Sequence, residues 1–200
     1  MRATVYPSFC GGAVIVPPSK SMAHRAIICA CLADGVSTVR RVSESDDMRA
    51  TIGAMEALGA KIERKGDTLT IHGTGGVPRL SSCEVDCIES GSTLRFLIPL
   101  FSLTGGLVTY CGRGRLMERP QDVYAALFKE QGACFLQEDG VIRQHGALKG
   151  GKLVIRGDVS SQFITGLLFT LPLLDGDSVI EILPPFESRS YVLLTLQVLR

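Results

Sequence analysis

The chain has 200 residues, 46% of them hydrophobic, with 21 Lys and Arg against 20 Asp and Glu for a formal net charge of +1. That length suits one domain, or one and part of another, with apolar content enough for a real core. The near balance of charge argues against a nucleic-acid surface or a polybasic membrane patch. No apolar run reaches the roughly 18 residues of a membrane span, and the first six residues lack the apolar stretch of a leader.

Ala13-Val14-Ile15-Val16 reads as a strand, and Met1–Val16 as a whole carries two strand-like runs separated by Gly11-Gly12. Pro17-Pro18-Ser19-Lys20-Ser21 then opens an apolar helix that runs to Ala33. Lys20 and Ser21 fall in its first turn, and Arg25 lies one turn on, on the face of Ser21. A helix start offers unpaired N–H groups and the positive end of the dipole, so a lysine, a hydroxyl and an arginine placed there make an anion site. The helix is apolar almost all round and should be buried, and a buried Arg needs partners.

Val36–Val42 alternates as a strand. Ser45-Asp46-Asp47 caps a second helix with Met48, Ile52, Met55 and Leu58 at helical spacing, and Gly59 ends it. A hairpin follows around Lys65-Gly66-Asp67. The same order recurs: a strand at Val85–Ile88, a helix opened by Ser90-Gly91-Ser92-Thr93 with Arg95, a strand at Leu107–Cys111, a helix started by Pro120 with Val123, Ala126, Leu127 and Phe128 inward, a glycine stop at Gly132, and a hairpin around Glu138-Asp139-Gly140. A third copy runs from Lys152 through Ser160-Ser161-Gln162, a strand at Ser178–Leu183 and a helix opened by Ser188-Arg189-Ser190-Tyr191. Ser21, Gly91 and Ser161 recur at an interval of 70 residues, as do Arg25, Arg95 and Thr165. Three diverged copies of a βαβαββ-like unit form a repeat architecture. The third copy lacks its closing hairpin, so the chain is expected to be part of a longer protein.

Related units should aim their helix starts at one face. Arg113, Arg115 and Arg119 add cations before the helix that follows Pro120, with Arg119 set at the helix start. Together these groups imply a small ligand with more than one negative group. No P-loop, HExxH, GxGxxG or Ser/His/Asp triad is present. His24 reads as packed or capping in preference to catalytic, and Glu89 and Asp47 read either as acid or base groups or as carboxylates capping helix starts. The seven cysteines (Cys10, Cys29, Cys31, Cys83, Cys87, Cys111, Cys134) are odd in number and lack CxxC spacing, so they read as small core residues of a reduced cytosolic protein, with no metal and no cofactor implied.

Pro18-Ser19-Lys20-Ser21-x-x-x-Arg25, Ser90-Gly91-Ser92-Thr93-Leu94-Arg95, Glu118-Arg119-Pro120, Ser160-Ser161-Gln162-Phe163 and Ser188-x-x-Tyr191 resemble the EPSP synthases, the 3-phosphoshikimate 1-carboxyvinyltransferases of the enolpyruvyl transferase family. The resemblance runs from about Val14 to the end and matches the N-terminal half. It implies an α/β fold of repeated βαβαββ units around buried parallel helices, an inside-out α/β barrel. Residues 17–200 would form the domain in units of about 17–80, 81–150 and a truncated 151–200. Residues 1–16 would be strands that pack on a C-terminal domain outside this sequence.

The implied activity is transfer of the enolpyruvyl group from phosphoenolpyruvate to the 5-hydroxyl of shikimate 3-phosphate, with release of phosphate, in aromatic amino acid biosynthesis. By the same resemblance, Lys20, Ser21, Arg25, Ser160, Ser161, Gln162, Ser188 and Tyr191 match shikimate 3-phosphate contacts, and Lys20, Gly91, Arg119 and Gln162 match phosphoenolpyruvate contacts. Beyond a contribution from Lys20, the resemblance puts the catalytic acids and bases in the other half. The 200 residues alone are therefore expected to be inactive, and the full-length enzyme to be a cytoplasmic monomer without nucleic-acid or membrane partners. Glu89-Ser90-Gly91 departs from the Asn-Ala-Gly of many members, and a carboxylate beside an anionic substrate repels it unless turned away or paired. The alternatives are the transferase acting on UDP-N-acetylglucosamine, which shares the fold, and a non-catalytic anion-binding module built on similar repeats.

Overall fold

The structure, a computed structural model, describes residues 2–9 and 11–200. The first unit comprises α1 (Lys20–Leu32), β1 (Val36–Val39), α2 (Asp46–Ala57), β2 (Lys61–Lys65) and β3 (Thr68–His72). The second comprises β4 (Ser82–Asp86), α3 (Gly91–Ser102), β5 (Leu107–Cys111), α4 (Asp122–Glu130), β6 (Cys134–Glu138) and β7 (Val141–His145). The third comprises β8 (Lys152–Arg156), α5 (Ser161–Thr170), β9 (Val179–Leu183) and α6 (Arg189–Leu199). From Lys20 onward, the helix–strand order read from the sequence is the order observed.

Local chemistry sets the helix ends. Ser19, Ser45, Ser90 and Ser160 each turn a hydroxyl back onto a backbone N–H of the first turn, from Met22, Met48, Thr93 and Gln162. A serine in this place stabilises a helix by about 1 kcal/mol over alanine. Gly59 and Gly132 close α2 and α4 with φ of +113° and +74°, a conformation that costs glycine nothing and a Cβ-bearing residue strain.

Each unit contributes one small sheet. The orders are β1–β3–β2, β4–β5–β7–β6 and β8–β9. In the second and third units the strands before and after the first helix pair in parallel, Val85 beside Tyr110 and Ile155 beside Ile182. The hairpins then add antiparallel strands, with β3 against β1 and β7 against β5. The strands bury one face only: along β8, Leu153 and Ile155 are buried while Lys152, Val154 and Arg156 are exposed. The centre is helical: α3 is buried from Phe96 through Ser102, and α5 from Phe163 through Leu167. Helix α3 packs along α5, α5 on α6, and α1 on both α2 and α6. The helix starts of all three units therefore meet around one face.

Four sequence-based expectations are corrected. Residues 13–16 form no strand, and the described residues 2–9 and 11–16 carry none. Val14 and Ile15 are 90% and 97% exposed, because an extended segment gains nothing without a ladder partner. Pro120 does not start α4; Gln121 is its N-cap and Asp122 its first residue. The buried side of α4 is Tyr124, Leu127 and Phe128, whereas Ala126 is exposed. Among the cysteines, Cys31 and Cys87 are core residues, Cys29, Cys83 and Cys111 are half-buried, and Cys134 is exposed. Met1 and Cys10 lie outside the described residues. Burial pushes the Cys29 and Cys31 thiols up to about 11 and 12, which keeps them protonated at neutral pH.

Candidate functional site

The helix starts of α1, α3, α5 and α6 surround a cavity of about 300 Å³. Ser21 and Arg25 enter it from the first unit, Ser92 and Phe96 from the second. The third unit supplies Ser160, Ser161, Gln162, Ser188 and Tyr191. Seven residues singled out in the sequence thus share one cavity. Lys20, Gly91 and Arg119 flank it without lining it. Ser92 and Phe96 were read from the sequence only as part of a helix start and an apolar run.

Arg25 is the deepest charge in the cavity, 2% exposed. Its guanidinium donates to Thr195 Oγ1 at 2.8 Å, Ser21 O at 2.7 Å, and Thr165 Oγ1 and Tyr191 O at 3.2 Å each. It also lies over the Phe96 ring at 5.0 Å. Among the described residues no carboxylate forms an ion pair with it. Burial, the dominant influence, holds its pKa below the usual arginine value. A buried cation held only by neutral oxygens is satisfied in its hydrogen bonds but not in its charge, and it favours an anion in the cavity beside it. Sequence reading missed Thr195; the 70-residue register had already paired Thr165 with Arg25 and Arg95.

Arg95, one repeat on, plays a different part. Its Nη1 donates to Gln162 Oε1 at 3.1 Å and its Nη2 to the Pro120 carbonyl at 3.2 Å, and its guanidinium covers the Phe163 ring at 4.6 Å. Gln162 in turn donates through Nε2 to Ser92 Oγ at 2.9 Å. Arg95 therefore fixes the amide of Gln162 at the cavity wall and ties the loop before α4 to α5.

The hydroxyls divide into two classes. Ser160 spends its oxygen on capping α5. Ser188 precedes α6 at φ 51°, where its side chain makes no capping bond. Ser188 lines the cavity without serving as a helix cap. Ser161 is buried and Tyr191 half-exposed, the latter at the cavity mouth.

At the flank, Lys20 Nζ pairs with Asp47 Oδ2 at 2.5 Å. Burial opposes ionisation of Asp47, but hydrogen bonds from Lys20 and Ser90 and the Lys20 charge outweigh it and hold the carboxyl below the usual range. Gly91 carries no side chain because the Arg119 guanidinium occupies that space: a Cβ there would stand 2.7 Å from Arg119 Nη1. Arg119 is exposed beyond it, a cation set over the N-terminus of α3. The Glu89 carboxylate packs against Gly114, so it is turned toward the loop of Arg113 and Arg115. His24 is 2% exposed, bonded to Thr51 Oγ1, and burial pushes its pKa down to about 4. It is a packed neutral residue, which decides between the packed and capping readings of the sequence.

The arrangement provides one deep cavity with a buried guanidinium, a ring of hydroxyls and an amide, and a second cationic spot beside it at Lys20, Gly91 and Arg119. It suits two small anions side by side.

The family model for EPSP synthase (3-phosphoshikimate 1-carboxyvinyltransferase) matches residues 7–200. The 3-phosphoshikimate 1-carboxyvinyltransferase of Clostridium beijerinckii is 50% identical over 204 aligned residues, covering 98% of this chain and 47% of that protein. The enzyme of the same name from Clostridium botulinum is 48% identical, covering 96% and 46%. Among solved structures, an EPSP synthase from Acinetobacter baumannii superposes with a TM-score of 0.74 at 27% identity, over 90% of this chain and 42% of that one. The chain spans about half the length of the curated relatives it matches.

Proposed function

We infer function from family: the chain belongs to the EPSP synthase family, and we propose that it forms the shikimate 3-phosphate-binding half of a 3-phosphoshikimate 1-carboxyvinyltransferase. The observation that carries this reading is Arg25, buried in the cavity with hydrogen bonds but, among the described residues, no ion-pair partner.

In this reading the cavity takes shikimate 3-phosphate. Ser160, Ser161, Gln162 and Ser188 face its phosphate, Ser21, Arg25 and Tyr191 its carboxylate and hydroxyls. Phosphoenolpyruvate sits beside it, over the start of α3, held by Arg119, Gln162 and Lys20. Gly91 supports this placement, because its missing side chain is what lets Arg119 settle there. Lys20 stands between the two ligands. The 5-hydroxyl of shikimate 3-phosphate adds to C2 of the enolpyruvyl group while C3 takes a proton. The tetrahedral intermediate then gives the proton back from C3 and releases phosphate. The anion sites act by holding the reacting carbons together and balancing charge on both ligands. The proton-transfer groups belong to a second domain that closes over this face, and the exposed apolar residues Val14, Ile15 and Val16 pack there with the rest of residues 1–16. Residues 17–200 form the first domain of a cytoplasmic enzyme. Among the described residues no helix is long and apolar enough to cross a membrane.

Titration calorimetry tests the reading. The chain should bind shikimate 3-phosphate stoichiometrically and show no transferase turnover alone. Binding of UDP-N-acetylglucosamine with none of shikimate 3-phosphate, or turnover by the 200 residues, overturns it.

A further inference from the structure

A row of buried polar groups runs beneath the helix starts. His24 Nδ1 lies 2.7 Å from Thr51 Oγ1, and Thr51 Oγ1 lies 2.7 Å from Thr93 Oγ1. Thr93 Oγ1 donates to Ser90 Oγ at 2.8 Å. The Ser90 hydroxyl stands near enough to the Asp47 carboxylate to favour its charged form, and Asp47 holds Lys20 at 2.5 Å. The row crosses from α1 to α2 to the start of α3 and returns to Lys20 at the start of α1. His24, Thr51, Ser90 and Thr93 are each no more than 2% exposed, so water does not compete for these bonds.

Counting protons gives the row a direction. A hydroxyl has one proton to donate. The Thr93 proton goes to Ser90, so the short contact between Thr93 and Thr51 requires the Thr51 proton. Thr51 has then none left for His24, and the contact at Nδ1 requires a proton on the ring. The Ser90 proton is free for Asp47, since Ser90 Oγ accepts from both the backbone N–H and the hydroxyl of Thr93. Every donor points toward the one carboxylate.

We propose that His24 is a positioning residue: as the neutral Nδ1–H tautomer it heads a one-way hydrogen-bond chain through Thr51, Thr93 and Ser90 that ends on Asp47 and sets Lys20 at the edge of the ligand site. Chains of this kind polarise each member, and breaking one link loosens the rest. The chain orders the starts of α1, α2 and α3 against one another, and Lys20, which reaches the ligand, is placed from behind. The link to ligand binding rests on the proposed shikimate 3-phosphate site; the tautomer does not.

Two measurements test it. Long-range proton–nitrogen correlation spectra of the unliganded 200-residue chain should show His24 protonated at Nδ1 and bare at Nε2. In Thr93→Val, which removes the middle hydroxyl at nearly constant shape, that preference should relax toward a mixture. Nε2 protonation in the native chain, or an unmoved tautomer in Thr93→Val, overturns the proposal. Shikimate 3-phosphate titration is the second measurement. Thr93→Val and His24→Leu should each weaken binding several-fold. His24→Asn should restore it, because the Asn amide N–H stands where the ring Nδ1–H stood, while His24→Gln should not. Equal affinity in all four variants and the native chain removes the link to Lys20. If the native chain binds no shikimate 3-phosphate, the functional reading falls, and the spectra still decide the hydrogen-bond chain.

Discussion

Replacing Tyr124 by phenylalanine should destabilise the protein by about 2 kcal/mol, for a reason lodged in another helix. Helix α3 contains Pro99 in its interior. Proline has no N–H, so the carbonyl four residues earlier, that of Arg95, loses its helical donor. The Tyr124 hydroxyl supplies the missing bond, donating to Arg95 O at 2.6 Å, with Phe163 O of α5 at 3.1 Å. Tyr124 is fully buried, and burial pushes its phenol well above the usual range, so it stays a donor at any working pH. Tyr124→Phe keeps the ring and leaves a buried carbonyl unpaired, which costs about 1–3 kcal/mol. For a chain of this size the melting temperature should fall roughly 4–8 °C for a 2 kcal/mol loss. Urea unfolding followed by circular dichroism measures it. The decisive comparison is a double-mutant cycle with Pro99→Ala, which restores an N–H for Arg95 O. The cost of Tyr124→Phe should shrink by at least ~1 kcal/mol in that background. An equal cost in both backgrounds refutes the reasoning.

Arg25→Met should bind shikimate 3-phosphate at least ~30-fold more weakly, since losing a buried hydrogen-bonded charge costs about 2–5 kcal/mol. The same variant should keep or gain stability, because Thr165 and Thr195 still bond each other at 3.0 Å, Thr195 still reaches Tyr191 O, and a buried charge is gone; calorimetry and thermal melts read the two effects separately. Stability should fall as pH drops from about 6.5 to about 4, because His24 takes a proton in the unfolded chain near 6.5 and in the folded chain only near 4. The unfolded state binds more protons across that window, the loss amounts to about 3 kcal/mol, and it should be absent in His24→Asn unfolded at the same pH values. Gly91→Ala should leave stability within about 0.5 kcal/mol, since the one close contact of its Cβ is with the far end of the flexible Arg119 side chain, and Leu116 Cδ1 lies at an ordinary 3.9 Å. In the full-length enzyme it should raise the KM for phosphoenolpyruvate several-fold while shikimate 3-phosphate affinity holds, and unchanged KM values would remove Arg119 from that site.

The sequence by itself determined what depends on neighbours along the chain. Serines ahead of apolar runs marked four helix starts, glycines marked the ends of α2 and α4, and the 70-residue interval revealed three units in their observed order. The motif residues pointed to the right family, and seven of the candidate residues line one cavity because repeated units present equivalent helix ends to one another. What only the tertiary structure decided depends on contacts between distant residues. Val14 and Ile15 have strand composition but, among the described residues, no strand to pair with, so composition alone does not make them a strand. The partners of Arg25 come from Thr165 and Thr195, and no local pattern ties residue 25 to residue 195. Tyr124 reads as an ordinary helix aromatic until Pro99 is seen to need its hydroxyl. His24 is a lone histidine in the sequence and the head of a buried hydrogen-bond chain in the fold. Hydrogen-bond satisfaction inside a core is a property of the packed whole, because each buried donor takes whatever acceptor the fold brings within reach.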